Sequence, residues 1–122
     1  MKNKLFQIFA LSMAFMLASS LVSFKNKTPK TIKTEFTVYG CCGDCKERIE
    51  NALDTKGVQF ATWDKETQIL SIVYKTKLLS EEKIHQIIAS VGHDTDKVKA
   101  EDSVYNALPG CCQYRGGKKC AH

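Results

Sequence analysis

The sequence predicts an α+β fold of the ferredoxin-like kind, βαββαβ, an antiparallel four-stranded sheet with two helices on one face. Three observations carry that expectation. Thr34 to Tyr39 alternates, with Phe36 and Val38 pointing one way, and Val58 to Trp63 and Ile69 to Tyr74 read as two further strands around a polar turn. Apolar residues recur at helical spacing after Asp44 and again after Ser80. Glycines at 57 and 92 then close both helical stretches.

The chain opens with Lys2 and Lys4, followed by an apolar run from Leu5 to Ala18 broken only by Gln7 and Ser12, and then by Ala18, Ser19, Ser20 and Ser23. Positive charge, apolar stretch and small residues in that order are the pattern of a secretory signal over residues 1–23. An uncleaved anchor is the rival reading, because Leu5 to Val22 approaches the length that spans a bilayer. Either one places the rest of the chain outside the cytoplasm, in a periplasm or secreted. No cysteine lies beside Ser19 or Ser23 to carry a lipid. Residues 24–33, with four lysines and Pro29, read as a solvated linker. The domain proper is expected over 34–100, and 101–122 as a cysteine-containing tail.

Within the domain, Phe36 and Val38 mark the inner face of the first strand. Asp44 is the expected N-cap of a helix that places Cys45, Ile49, Ala52 and Leu53 on one side and runs to about Thr55. Val58 to Trp63 and Ile69 to Tyr74 form a hairpin across the polar turn 64–68, with Leu70, Ile72 and Tyr74 inward. Ser80 caps the second helix, Glu81 and Glu82 sit in its positive first turn, and Ile84, Ile87, Ile88 and Val91 form its apolar stripe. His85 falls off that stripe and is expected at the surface, whereas Trp63 belongs to the core. Thr95 to Val98 supplies a short last strand and Glu101 to Leu108 a helical turn or two. From Pro109 the tail has no period and is expected to be mobile.

A length of 122 residues implies one domain. The formal charge of +5 includes the two lysines of the signal, and the remaining surplus is mixed with acids. That argues against a polyanionic partner, and no aromatic–basic alternation points to nucleic acid. The six cysteines are clustered as Cys41, Cys42 and Cys45, then Cys111 and Cys112, with Cys120 near the end. Residues 46–110 contain none, so that stretch must fold on its apolar core, and the cysteines serve local chemistry.

Cys42-Gly43-Asp44-Cys45 is the constellation that matters. Two cysteines spaced by two residues at the opening of a helix converge, and the helix N-terminus favours thiolate over thiol. Thiolates suit thiophilic ions: two sulfurs fit low-coordinate Cu(I) or Hg(II), with Ag(I) as a further candidate, and leave Zn(II) short of four ligands. Taken alone, the motif also fits thiol redox chemistry.

Its place between the first strand and first helix resembles the heavy-metal-associated domain family of copper chaperones, metal-transport ATPase modules and a periplasmic mercury-binding protein. The resemblance rests on Val38-Tyr39-Gly40, Cys42 to Cys45, Ile49-Glu50, Gly57-Val58, Tyr74 and Gly92-His93-Asp94, and runs from about Thr34 to Lys99. It implies Cys42 and Cys45 as the metal ligands. It also implies that the loop holding His93 faces the metal, so His93 is either an extra ligand or a solvated loop residue. The family's usual Gly-Met-Thr before the first ligand is replaced here by Gly40-Cys41, one residue shorter, and the Met that props the loop is missing. Cys41 reads as a small buried hydrophobe or an accessory ligand. For Cys111 and Cys112 three readings stand open: thiolates folding back over the site, a disulfide to Cys41 or another cysteine, or a separate clip with Cys120 and His122.

The sequence therefore predicts an extracytoplasmic metal-binding protein, for Cu(I) before Hg(II), Zn(II) or Ag(I). It would sequester the ion or pass it to a metal transporter or another metal-binding protein. No enzyme constellation is visible. The alternatives are a thiol-disulfide oxidoreductase using Cys42 as nucleophile, and a module whose cysteines are all disulfide-bonded.

Overall fold

The computed structural model describes residues 30–117, so the signal or anchor expected at 1–23 and the Cys120–His122 end of the tail lie outside the described residues. Strands β1 (Thr31–Thr37), β2 (Val58–Trp63) and β3 (Ile69–Lys75) form an antiparallel sheet in the order β1-β3-β2. β1 begins inside the stretch whose composition reads as linker. Register follows the apolar alternation: Phe36 and Trp63 flank Leu70, while Thr34 and Ala61 flank Ile72. Those residues share the inner face, and their opposite neighbours, such as Glu35 and Ser71, hydrogen-bond on the outer one.

Helices α1 (Gly43–Ala52) and α2 (Glu81–Ser90) bury their apolar sides in one core with that inner face. Cys45 and Ile49 of the first with its C-cap Leu53, and Ile84 and Ile88 of the second, are fully buried beside Leu70 and Ile72. Ser80 caps α2 as expected, its hydroxyl accepting the Lys83 amide at 3.2 Å. Asp44 does not cap α1: Cys42 is the N-cap residue, and Asp44 lies in the first turn.

The fourth strand is not formed among the described residues. Its place beside β1 is kept by a single bridge, Val38 to Thr95, and by the Tyr39 amide donating to the Asp94 carbonyl at 2.8 Å. Beyond Thr95 the chain turns on itself. The Thr95 hydroxyl accepts the amides of Lys97 and Val98, and the Thr95 amide donates to the Val98 carbonyl at 2.8 Å. A threonine that satisfies the backbone locally competes with the ladder a strand requires.

That turn also overturns the expectation of an exposed His85, which is completely buried. Its ring packs on Phe36 at 4.0 Å between centroids, and its Nδ1 shares a hydrogen bond of 2.6 Å with the Thr95 hydroxyl. The apolar stripe alone does not show that the chain after the helix will fold back over its flank.

After the turn come α3 (Asp102–Asn106) and a 3₁₀ turn at Gly110–Cys112. The tail expected to be mobile is docked as far as it is described. The guanidinium of Arg115 grips both carboxylate oxygens of Asp94, at 2.7 and 3.0 Å, and also donates to Asp102 and to the Ala100 carbonyl. The Tyr114 hydroxyl accepts the Asp94 amide at 2.7 Å. Gly92 makes room for the same segment: its φ is +97°, and a β-carbon there would stand 3.0 Å from Leu108.

Candidate metal centre

The loop between β1 and α1 rests on Trp63. A β-carbon on Gly40 would lie 3.1 Å from the indole ring and 3.2 Å from the Cys45 β-carbon, so glycine is what lets the loop settle on the ring. The indole N–H donates to the Val38 carbonyl at 3.0 Å, and Gln68 donates to the Gly40 carbonyl. Trp63, almost wholly buried, thus supplies the floor on which the loop settles. Its own amide is held by Glu50 at 2.9 Å, and Lys46 bridges Glu50 to the Trp63 carbonyl.

On that floor the sulfurs of Cys42 and Cys45 stand 3.0 Å apart, within hydrogen-bonding reach and well beyond the roughly 2.05 Å of a disulfide. Both are free thiols. Burial raises the Cys42 thiol, but the Cys45 thiol and main chain at the helix start outweigh it and bring it below the ordinary range. Cys45 moves the other way, pushed up chiefly by burial. The two opposite shifts belong to the pair together, in which either sulfur can donate to the other.

The tail returns two further thiols. The Cys112 sulfur, fully buried, lies 3.5 Å from that of Cys42 and accepts a hydrogen bond from Arg48 Nη1 at 3.1 Å. Burial and the neighbouring Cys45 and Cys42 thiols push it up to about 11 despite Arg48. Half-buried Cys111 stands 3.9 Å from Cys112 and donates to Asp44 Oδ2 at 3.4 Å, an interaction that leads in pushing its thiol up to about 12. The sulfurs of Cys42, Cys111 and Cys112 lie within 4.8 Å of one another, as do those of Cys41, Cys42 and Cys45. Of the three readings for the tail cysteines, the geometry matches folding back over the site. Neither Cys111 nor Cys112 is in a disulfide.

Cys41 is in a disulfide. Half-buried, it packs against the apolar core, as the first reading of it expects, and a sulfur bonded in that way offers no thiolate until it is reduced. It packs 3.2 Å from the Cys111 carbonyl oxygen.

His93 is fully buried and belongs to neither sulfur cluster. Its Nδ1–H donates to the Tyr39 carbonyl at 2.8 Å, and its ring stacks on Tyr114. Burial is the main reason that its pKa falls below 6.5. The ring is thus neutral, with an Nε2 lone pair that has no hydrogen-bond partner. It is not the solvated loop residue that the sequence left open.

Sequence reasoning missed Arg48, Tyr114 and Arg115. Arg48 had a signal, since it follows Cys45 by three residues and lies on the same side of the helix. The two tail residues had none.

Comparison with known proteins agrees with this architecture. Residues 35–94 match the family model of the heavy-metal-associated domain. Among solved structures, the CopZ metallochaperone is similar at 27% identity and a TM-score of 0.50, covering 52% of this chain and 98% of its own. A copper-binding domain from a P-type ATPase gives 27% identity, a TM-score of 0.51 and coverage of 52% and 89%. The N-terminal domain of a potential copper-translocating P-type ATPase from Bacillus subtilis, in its Cu(I)-loaded state, gives 26%, 0.52, and coverage of 61% and 95%. A comparison with curated protein sequences found no match. Cys111, Cys112, Tyr114 and Arg115 all fall outside the matched residues.

Proposed function

We propose, from the premise that this chain carries a heavy-metal-associated domain at residues 35–94, that it binds Cu(I) through Cys42 and Cys45 and holds or transfers it outside the cytoplasm. The observation that carries the reading is the pair of free sulfurs 3.0 Å apart at the start of α1, one of them already disposed to ionise. Soft thiolates select a thiophilic ion, and two of them leave positions through which an incoming thiolate can displace an outgoing one. The copper chaperone and ATPase domains that it resembles support copper over Hg(II), Ag(I) or Zn(II), and a metal transporter or second metal-binding protein as partner. Export rests on the signal-like residues 1–23.

The test is an anaerobic Cu(I) titration of the reduced protein against a competing chelator. Cys42→Ser and Cys45→Ser should each weaken binding by more than roughly a hundredfold, a larger loss than removal of a residue that merely supports a ligand. Unchanged affinity in either variant would sink the proposal. An insulin-reduction assay separates it from the oxidoreductase reading, which requires turnover without metal.

A further inference from the structure

Resting on that reading of Cys42 and Cys45, the geometry points to Cys112 as a third thiolate for the same ion, with Arg48 as the cation that offsets the added charge. Three sulfurs at about 2.3 Å from one soft ion sit roughly 4 Å from each other. Cys42 already has Cys45 at 3.0 Å and Cys112 at 3.5 Å, so each of those two pairs lies inside that span, and Cys42 is the corner they share.

The third sulfur is built in. Cys112 is completely buried, and its amide is tied to the Pro109 carbonyl at 2.8 Å. The segment is clamped just beyond it, where Arg115 seizes Asp94 and Tyr114 takes the Asp94 amide. Those contacts fasten a family-external segment to the loop after α2, inside the matched domain, and the clamp sets Cys112 beside the ligand pair.

Charge is consistent with this assignment. Three thiolates around a monovalent ion carry a net charge of −2, and burying such a charge unaccompanied is costly. Arg48 Nη1 points at the Cys112 sulfur from 3.1 Å and halves it. Cys111 is the poorer candidate, because its thiol hydrogen goes to Asp44 and it is only half-buried where Cys112 is fully buried. A third sulfur makes the site a tighter holder, and release to a partner then depends on the tail lifting away.

The experiment counts sulfurs. The reduced chain is loaded anaerobically with one equivalent of Cu(I), and its sulfur coordination is measured by X-ray absorption. Three sulfurs are expected in the unmodified chain and in Cys111→Ser, and two in Cys112→Ala. Chelator competition should show Cys112→Ala weaker by roughly 10–100-fold, and Arg48→Gln by up to roughly tenfold. Should Cys112→Ala misfold, the combined variant Cys41→Ser, Cys111→Ser and Cys120→Ser answers the same question. It retains only Cys42, Cys45 and Cys112, and three sulfurs must still appear. Two sulfurs in the unmodified chain, or three persisting in folded Cys112→Ala, overturn the third ligand and leave the two-sulfur reading intact. No copper–sulfur binding, or binding indifferent to Cys42→Ser, defeats the underlying reading instead.

Discussion

The family-matched body and the segment that follows it are held by different forces. Val38, Ile49, Leu53, Leu70, Ile72, Ile84 and Ile88 are fully buried in the body, joined by area and shape. The tail buries Tyr105, Leu108 and Cys112, and is otherwise fixed by one arginine reaching three acceptor groups and by two tyrosine hydroxyls. Apolar packing persists through small changes of pH, whereas an ionic clamp can be opened without unfolding what it clasps. The body should therefore keep the Cys42–Cys45 thiol pair in place even where the tail over it is loosened.

The largest expected effect tests the body. Trp63→Ala should cost about 3–5 kcal/mol in urea unfolding and quicken alkylation of Cys42 in the native state, since the loop loses its floor. A loss below about 1 kcal/mol would show that the loop stands without the indole. Next comes the clamp. Arg115→Ala should cost about 1.5–3 kcal/mol, expressed locally as faster alkylation of Cys112 with little change at Cys45. Equal exposure of both thiols would erase the distinction between the regions.

Acid should act in the same place. Burial pushes the Asp94 carboxyl up, but its bonds to Arg115 and to the Ala100 amide prevail and hold it below 3.8. The stabilisation is therefore complete above about 3.8 and disappears as pH falls through the lower folded value. Cys112 alkylation, scaled for thiolate content, should rise there.

His93 gives a milder slope at higher pH. Its depressed folded pKa means that the unfolded chain takes the proton first, so the metal-free protein should lose stability as pH drops below 6.5. The slope from this single group is at most about 1.4 kcal/mol per pH unit, and His93→Gln should flatten it. The smallest effect belongs to Phe60, which is 55% exposed on the outer face of β2. Phe60→Ser should move stability by no more than about 0.5 kcal/mol.

How much was legible in the sequence follows the same division. The strands and helices of the body announce themselves by period, because each buries one side. Cys42 and Cys45 were visible by spacing, and Ser80 by its position before an acidic turn. The fourth strand was misread because Thr95 offered the right residue type for a strand while its hydroxyl was free to close a turn. His85 was misread because an off-stripe position is buried once a neighbouring segment covers it. Nothing periodic betrays a clamp made of Asp94, Tyr114 and Arg115, whose residues come from distant stretches of chain.

The indole beneath the loop has one more consequence. Trp63 is the chain's sole tryptophan, and it lies against Gly40 and the Cys45 β-carbon. Its emission therefore originates beside the Cys42–Cys45 loop, with no second indole to dilute the signal. An ion taken up at that loop should change this emission, a readout that needs no attached dye.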